Sequence, residues 1–157
     1  MNNYAVLKSK NIDINTISIN KNNQHSNISY YLSYNNERFL LQTPIFNDYE
    51  LFNYNSKHYI DLKLNTEKLQ HVQFLTFIDS LELKLNNYSN SSLKTQVITD
   101  IQNNKSIKVK LLDSTIYYDN NKNQVNILKS NKISLLLSIE YHYNYYSLCA
   151  VQILQLN

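Results

Sequence analysis

The sequence contains no glycine among its 157 residues, and this absence constrains the fold more than any other feature. Glycine adopts positive φ angles without steric cost and lets backbone amides approach phosphates closely. Phosphate-binding loops and dinucleotide-binding turns need it, so both are excluded in their ordinary forms. Tight turns must instead use asparagine, the next most tolerant residue. Turns are therefore predicted at Asn35-Asn36, Asn86-Asn87, Asn103-Asn104 and Asn120-Asn121.

The composition is that of a single folded domain spanning residues 1–157. Apolar residues make up 43% and charged residues 17%, a balance typical of globular chains. The net charge of +3 leans toward anionic partners. Residues with GC-rich codons are absent or rare, which indicates the AT-rich genome of a virus, plasmid, organelle or parasite.

The sequence also favours an intracellular setting. Its apolar segments are too short to span a membrane, and the N-terminus MNNYAVLKSK has no hydrophobic signal core. Cys149 is the only cysteine, so no intrachain disulfide can form. We expect a cytoplasmic protein without membrane contact.

Alternating residues predict strands in the first third of the chain. Residues 12–19 predict one or two short strands, and residues 20–27, which include His25, a polar loop. The segment ISYYLSY (28–34) alternates cleanly, with Ile28 and Leu32 on one face and Tyr31 on the other. The Asn-Asn turn joins it to ERFLLQT, and Pro44 ends that strand because proline cannot donate to a sheet.

The middle of the chain changes period. From Thr66 to about Leu85 the spacing predicts an amphipathic helix, with Asn65 or Thr66 as its cap. The residues predicted to face the core are Leu69, Val72, Leu75, Ile78, Leu81 and Leu85. A tyrosine-rich connection precedes the strand HYIDLKL (58–64), and a polar linker, NNYSNSSLKTQ (86–96), follows the helix.

Strands dominate the remainder. SIKVKLL (106–112) predicts a strand with lysines on its exposed face, and two arms around Asn144 predict a closing hairpin. Its first arm places Ile133, Leu135, Leu137, Ile139, Tyr141 and Tyr143 on one face. Many strands with one helix predict a mainly β fold. A closed five-stranded Greek-key barrel of the oligonucleotide-binding type, with its helix between the third and fourth strands, fits this order.

The residues needed for catalysis do not form a readable pattern. The four histidines lack metal-ligand spacing, and Cys149 lies in an apolar run where a thiol is usually inert. Asp61 and Lys63 share a strand face, but a second carboxylate to hold magnesium is missing. We therefore expect no enzyme activity, no metal and no cofactor, and keep a metal-dependent nuclease as a minor alternative.

Aromatic and basic residues on strand faces favour binding of single-stranded nucleic acid. Bases stack on flat rings while lysine and arginine follow the phosphates. Arg38, the only arginine, combines charge with a planar group that stacks. The alternative is that these rings pack in the core, above all Phe39, and that the lysines are simply solvated. The predicted interface comprises Tyr31, Arg38, Phe39, Lys57, Tyr59, Lys63, Lys108, Lys110 and Tyr145.

Several segments resemble a viral family of single-stranded DNA-binding proteins. RFLLQTP (38–44) resembles that family's hairpin, and LQHVQFLTFIDSLELKL (69–85) the segment after its third strand. IKVKL (107–111) and residues 133–156 resemble its final strands. Members occur in nucleocytoplasmic large DNA viruses, with relatives among phage replication proteins and, we expect, yeast cytoplasmic linear plasmids. The resemblance covers residues 28–156 loosely.

The resemblance implies an oligonucleotide-binding barrel that coats single-stranded DNA during replication. RNA remains open as a partner, as do a replication polymerase and self-association into a homo-oligomer. This chain departs from the family in lacking its glycines and in ending VQILQLN rather than in an acidic, polymerase-recruiting tail. A structural or assembly protein of a virus or plasmid is the alternative class.

Overall fold

A computed structural model describes residues 4–22 and 29–157 of the chain. Within these ranges the chain forms eleven β-strands and one α-helix. The strands are β1 Ala5–Lys8, β2 Ile17–Asn22, β3 Ser29–Tyr34, β4 Glu37–Gln42, β5 Tyr49–Tyr54, β6 Lys57–Lys63, β7 Val97–Thr99, β8 Lys105–Tyr118, β9 Gln124–Val125, β10 Lys132–Tyr141 and β11 Tyr146–Leu156. The helix α1 runs over Leu69–Ser89, and 3₁₀ turns lie at Ser9–Asn11 and Ile14–Thr16.

Left-handed residues other than glycine close the turns. Asn35 and Asn36 have φ angles of 50° and 66°, which confirms the predicted primed turn between β3 and β4. Asn55 and Ser56 close a second such turn, between β5 and β6, in a segment predicted as a connection. The predicted turn at Asn103 is also confirmed.

Two of the predicted Asn-Asn turns differ from expectation. The turn over residues 119–123 exists, but Lys122 is its left-handed residue. The predicted turn at Asn86-Asn87 is wrong, because both residues are helical. The Asn86 carbonyl accepts from the N–H of Asn90, the left-handed residue that ends the helix.

The predicted helix is confirmed, although its start and buried face differ. It begins at Leu69, and Lys68 caps it without a side-chain hydrogen bond, so the predicted cap is wrong. Asn65 instead accepts from the backbone N–H of Glu67 just before the helix. The residues buried on the helix are His71, Phe74, Phe77, Ile78, Leu81, Leu85 and Ser89. Leu69 and Val72 are exposed, because the first residues of the helix that are buried against the core are His71 and Phe74.

The sheet has the strand order β1-β4-β3-β10-β11-β8-β6-β5, with β2, β7 and β9 attached beside this path. This confirms a mainly β fold with one helix, placed between β6 and β7. The structure corrects the prediction of a closed barrel of five strands, because the described residues form more than five strands and their sheet is not closed. Within the described residues, the terminal strands β1 and β5 of the path are not paired with each other.

One face of the sheet packs on the helix and forms the core. Ile60, Val109, Leu137 and Leu148 from four neighbouring strands are buried on this face. Each fully buried aliphatic side chain contributes about 1.5–3 kcal/mol relative to an exposed one. Because neighbouring residues alternate between faces, their neighbours in the strands must lie on the opposite face.

The N-terminal region differs most from prediction. The strand β1, which pairs in parallel with β4, was not predicted. Residues 12–19 form a 3₁₀ turn followed by β2, and this strand extends to Asn22, into the predicted loop. The rest of that loop, including His25, and the predicted strand residue Ile28 lie outside the described residues.

The polar linker after the helix is partly ordered by the core. Leu93 and Gln96 are buried, and Glu82 on the helix accepts hydrogen bonds from the Thr95 hydroxyl and the Gln96 backbone. The linker then continues into β7 beside β8.

The closing hairpin is confirmed as β10 and β11. Tyr143 is the exception to its predicted core face: it lies in the turn and is exposed. No helix formed by the described residues is both long and apolar enough to cross a membrane.

Candidate nucleic-acid interface

Strand register places most of the predicted interface residues on one face of the sheet, opposite the helix. Tyr59 lies directly across from Lys110 of β8, and Asp61 from Lys108. Lys110 in turn lies beside Cys149 of β11, which pairs with Ser138 of β10. Gln42 of β4 pairs with Leu136 of β10, which lies on this face. Because strand residues alternate between faces, Arg38 of β4 lies on the same face, and so does Tyr31 of β3, the strand that pairs with β4. On this face, the residues form two groups that lie on different strands.

The first group, which we call the β3 cluster, consists of Tyr31 and Arg38. The Arg38 guanidinium carbon lies 4.1 Å from the centroid of the Tyr31 ring. Such a cation–π contact holds the guanidinium flat against the ring and is weakly stabilising at an exposed site. Arg38 is exposed and forms no ion pair with any residue that the structure describes. Its charge therefore remains available to an anion.

The second group, the β6 cluster, consists of Phe52, Tyr59, Lys94, Lys108 and Lys110. Phe52 and Tyr59 are cross-strand partners on β5 and β6, with ring centroids 5.3 Å apart and planes inclined by 16°. The Lys108 ammonium lies 5.4 Å from the centroid of the Tyr59 ring. Parallel rings bordered by an ammonium group are suited to stacking a base and contacting its phosphate.

Lys94 adds a second positive charge beside Lys108. The linker that carries it runs along β8, where the Lys108 backbone N–H donates to the Gln96 carbonyl at 2.9 Å. Burial, and then repulsion from Lys94, lower the pKa of Lys108. Within the described ranges Lys108 has no ion-pair partner. An anion bound between the two ammonium groups would relieve this repulsion.

Lys63 differs from the other lysines because its charge is already compensated. Its ammonium lies 2.7 Å from Asp61 and 3.7 Å from Glu50. The hydrogen bond that the Lys63 ammonium donates to Asp61 is the main reason that the pKa of Lys63 is raised. Two carboxylates against one ammonium leave no free positive charge for a phosphate. Lys63 therefore has a local ion-pair role in this structure, and its contact with nucleic acid stays a prediction.

The structure places the three remaining predicted residues, Phe39, Lys57 and Tyr145, in different environments. Phe39 is only 7% exposed and belongs to the hydrophobic core, so its ring cannot stack on a base. Lys57 is exposed at the start of β6, across from Tyr54. Tyr145 is exposed in the turn between β10 and β11, with its ring stacked 4.7 Å from His142.

The two clusters are separated by three strands. Tyr31 and Tyr59 lie four inter-strand spacings apart on the path β3-β10-β11-β8-β6, about 19 Å along the sheet. The face of the sheet between the two clusters includes Cys149, whose side chain is buried. Burial, and then the neighbouring Glu140 carboxylate, raise the pKa of the Cys149 thiol to about 12. The thiol therefore stays protonated at neutral pH and is a poor nucleophile.

Two grooves lie elsewhere on the protein. The larger groove, of about 660 Å³, is lined by residues from 119 to 131 and by 155–157. A smaller one, of about 380 Å³, includes Tyr118, Lys122 and Leu154. Neither groove contains a member of the two clusters, whose open surface suits a polymer better than a small molecule. Among the described residues, no three His, Cys, Asp or Glu side chains are grouped to hold a metal ion.

Sequence reasoning missed two members of the β6 cluster. Phe52 lies in YELFNY, whose alternation with Glu50 and Tyr54 would have revealed a strand with an outward ring. Lys94 could not have been found this way, because nothing in a polar linker indicates that it runs beside β8. Its proximity to Lys108 depends on the buried anchors Leu93 and Gln96.

Comparison with known proteins gives similarity in structure only. No family model matches the chain, and no curated protein matches it either. The crystal structure of gp2.5, a single-stranded DNA-binding protein encoded by bacteriophage T7, superposes with a TM-score of 0.54 at 10% identity. The match covers 75% of this chain and 91% of the phage protein. The chain therefore shares the fold of a phage single-stranded DNA-binding protein.

A second phage protein is similar over more of the chain with lower scores. The single-stranded DNA-binding protein from bacteriophage Enc34 has a TM-score of 0.46 at 14% identity, covering 88% of this chain and 89% of that one. Its complex with single-stranded DNA has a TM-score of 0.47 at 13% identity, covering 89% and 96%.

Proposed function

We propose that this protein binds single-stranded DNA without sequence preference, by stacking bases on outward-facing rings and contacting phosphates through lysine and arginine. Its role would be to coat unpaired strands during replication of an AT-rich virus or cytoplasmic linear plasmid. The proposal includes no catalytic step and no cofactor. The fold shared with the T7 protein supports it, as does the AT-rich codon usage.

The β6 cluster is the main observation that supports the proposal. It combines parallel rings of Phe52 and Tyr59 with ammonium groups of Lys94 and Lys108 that no carboxylate neutralises among the described residues. Stacking contributes about 1–3 kcal/mol per base and tolerates every base, because each has a flat face. Each phosphate contact adds salt-dependent affinity through counterion release. This combination suits an unpaired strand, whose bases are accessible, better than a duplex.

The β3 cluster extends the proposed surface toward β4. Arg38 lies flat on Tyr31 and its guanidinium can contact a phosphate or stack on a base, which lysine cannot do equally well. A strand that engages both clusters must cross β8, β11 and β10. Lys110, on β8, lies on this route. Lys57 and Tyr145 remain proposed contacts at the ends of neighbouring hairpins.

Two alternatives predict different behaviour. A structural or assembly protein predicts a stable oligomer and no affinity for oligonucleotides. A metal-dependent nuclease predicts degradation of DNA only in the presence of magnesium, for which the cross-strand partners Asp61 and Glu50 are a candidate pair of carboxylates. Lys63 binds both of these carboxylates, which disfavours a metal at that position.

The test is a titration of labelled oligo-dT followed by fluorescence anisotropy, with a duplex of equal length and oligo-U as competitors. We expect binding to oligo-dT that weakens with salt, weak competition by duplex, and no effect of EDTA. The oligo-U arm measures the preference between DNA and RNA. Absence of binding at low salt would refute the proposal, and magnesium-dependent shortening of the oligonucleotide would favour the nuclease.

A further inference from the structure

A third group of rings lies at the tip of the β10–β11 hairpin, and its members are not among the contacts proposed above. We call it the hairpin-tip cluster: Tyr30 of β3, Tyr88 of α1, Tyr141 at the end of β10 and Tyr143 in the following turn. The Tyr143 ring stacks on Tyr30 with centroids 6.2 Å apart, and Tyr88 meets Tyr30 edge-on at 5.7 Å. Tyr141 is fully buried beneath them. Tyr88 and Tyr143 remain 46% and 43% exposed, so two rings at this site face solvent.

The backbone of Tyr143 is strained. Its φ angle is 62°, in the left-handed region that bulky side chains disfavour. Most other left-handed positions among the described residues are asparagine, and an asparagine, Asn144, is the next residue. A tyrosine in this conformation costs stability that asparagine would not, and such strain is concentrated at ligand-contacting sites.

Positive charge accompanies these rings. Lys21 of β2 lies directly across from Tyr30 in the β2–β3 pair. Lys84 precedes Tyr88 by four residues on α1, so the two side chains share a helix face. Neither lysine has an ion-pair partner in residues 4–22 and 29–157. The site therefore combines two exposed rings with two neighbouring lysines that have no ion-pair partner among the described residues.

Two hydrogen bonds connect β8, in the β6 cluster, with the start of β11 near this tip. The Lys108 backbone N–H donates to the Gln96 carbonyl, and the Gln96 side-chain amide donates to the Tyr146 carbonyl, both at 2.9 Å. Tyr146 begins β11, three residues after Tyr143. Lys94 lies in the same linker, two residues before Gln96.

We propose that the hairpin-tip cluster is a second base-stacking site for single-stranded nucleic acid, in which an unpaired base stacks on the Tyr143 and Tyr88 rings while Lys21 and Lys84 contact adjacent phosphates. This inference rests on the proposed function and deepens it. One strand would occupy the β6 cluster first and, when long enough to pass the β3 cluster, reach the tip, because Tyr30 directly precedes Tyr31 on β3. Affinity should then increase with oligonucleotide length until both sites are filled.

The test uses Tyr143→Asn with a length series of oligo-dT. Asparagine tolerates the left-handed backbone, so the variant should unfold at the same or a higher temperature than the wild type. Removing one stacking ring should weaken binding of long oligonucleotides about 5- to 100-fold. The shortest oligonucleotides that bind, which fill the β6 cluster alone, should be unaffected. Tyr143→Phe, which keeps the ring, should bind like the wild type, and Tyr88→Ala should reproduce the loss.

The outcomes separate this inference from the proposed function. If the wild type binds but Tyr143→Asn and Tyr88→Ala retain its affinity at every length, the second site does not exist while the proposed function stands. An equal loss of affinity for short and long oligonucleotides would also overturn a two-site arrangement. If the wild type binds no oligonucleotide of any length, the proposed function itself is wrong.

Discussion

Replacing Tyr59 with leucine tests the stacking role of the β6 cluster. Leucine keeps an apolar side chain against Phe52 and is compatible with a half-buried strand position, but it removes the flat ring. A stacked base contributes about 1–3 kcal/mol. Phe52 lies parallel to Tyr59 with centroids 5.3 Å apart and remains available to stack. We therefore expect a loss in the lower part of that range, about 1–2 kcal/mol, which corresponds to about 5- to 30-fold weaker binding.

The assay is anisotropy of labelled oligo-dT, measured for Tyr59→Leu at several salt concentrations. Since the substitution removes no charge, the slope of log affinity against log salt should equal that of the wild type. Tyr118→Leu is the matched control: Tyr118 lies on β8, eight residues beyond Lys110 and in the smaller groove rather than in the cluster. It should bind normally. Affinity of Tyr59→Leu within twofold of the wild type, with normal thermal unfolding, would refute the stacking argument.

Three further predictions follow from individual residues. Lys108→Gln should flatten the salt slope by about 0.7, the value for one phosphate contact on a single strand, whereas Lys129→Ala, in the loop between β9 and β10, should not. Burial lowers the pKa of His71, so the unfolded chain is protonated first as the pH falls. The free energy of unfolding should therefore decrease below about pH 6.5, and urea titrations should show a smaller decrease in this range for His71→Gln. Asn36→Ala should lower the free energy of unfolding by about 1–2 kcal/mol, because alanine is strained in the left-handed conformation that this position adopts. Asn36→Gly should not lower it, because glycine adopts this conformation freely.

Local patterns predicted the elements that depend on local physics. The Asn35-Asn36 turn, the helix and the closing hairpin all follow from backbone tolerance and periodicity, and the structure contains each of them. The strand β5 was missed because its turn uses Asn55-Ser56, and serine rarely adopts positive φ. The helix continues through Asn86-Asn87 because its end is fixed by a left-handed residue later, at Asn90.

The interface was only partly predictable, because strand faces follow from alternation but contacts between distant segments do not. Alternation correctly separated Tyr31 and Tyr59 from the core-facing residues of the same strands. It could not reveal that Glu50 and Asp61 neutralise Lys63, since Glu50 belongs to a strand predicted as a connection. Phe39 was ambiguous in the sequence, and tertiary packing buries it.

The most direct measurement is the change in backbone amide NMR shifts of the labelled protein on addition of oligo-dT. A strand held across the helix-free side of the sheet predicts the largest changes at Phe52, Tyr59, Lys108 and Lys110, with changes at Arg38 as the oligonucleotide lengthens. Shifts confined to the exposed side of the helix or to residues 119–131, or no shifts at all, would contradict that account.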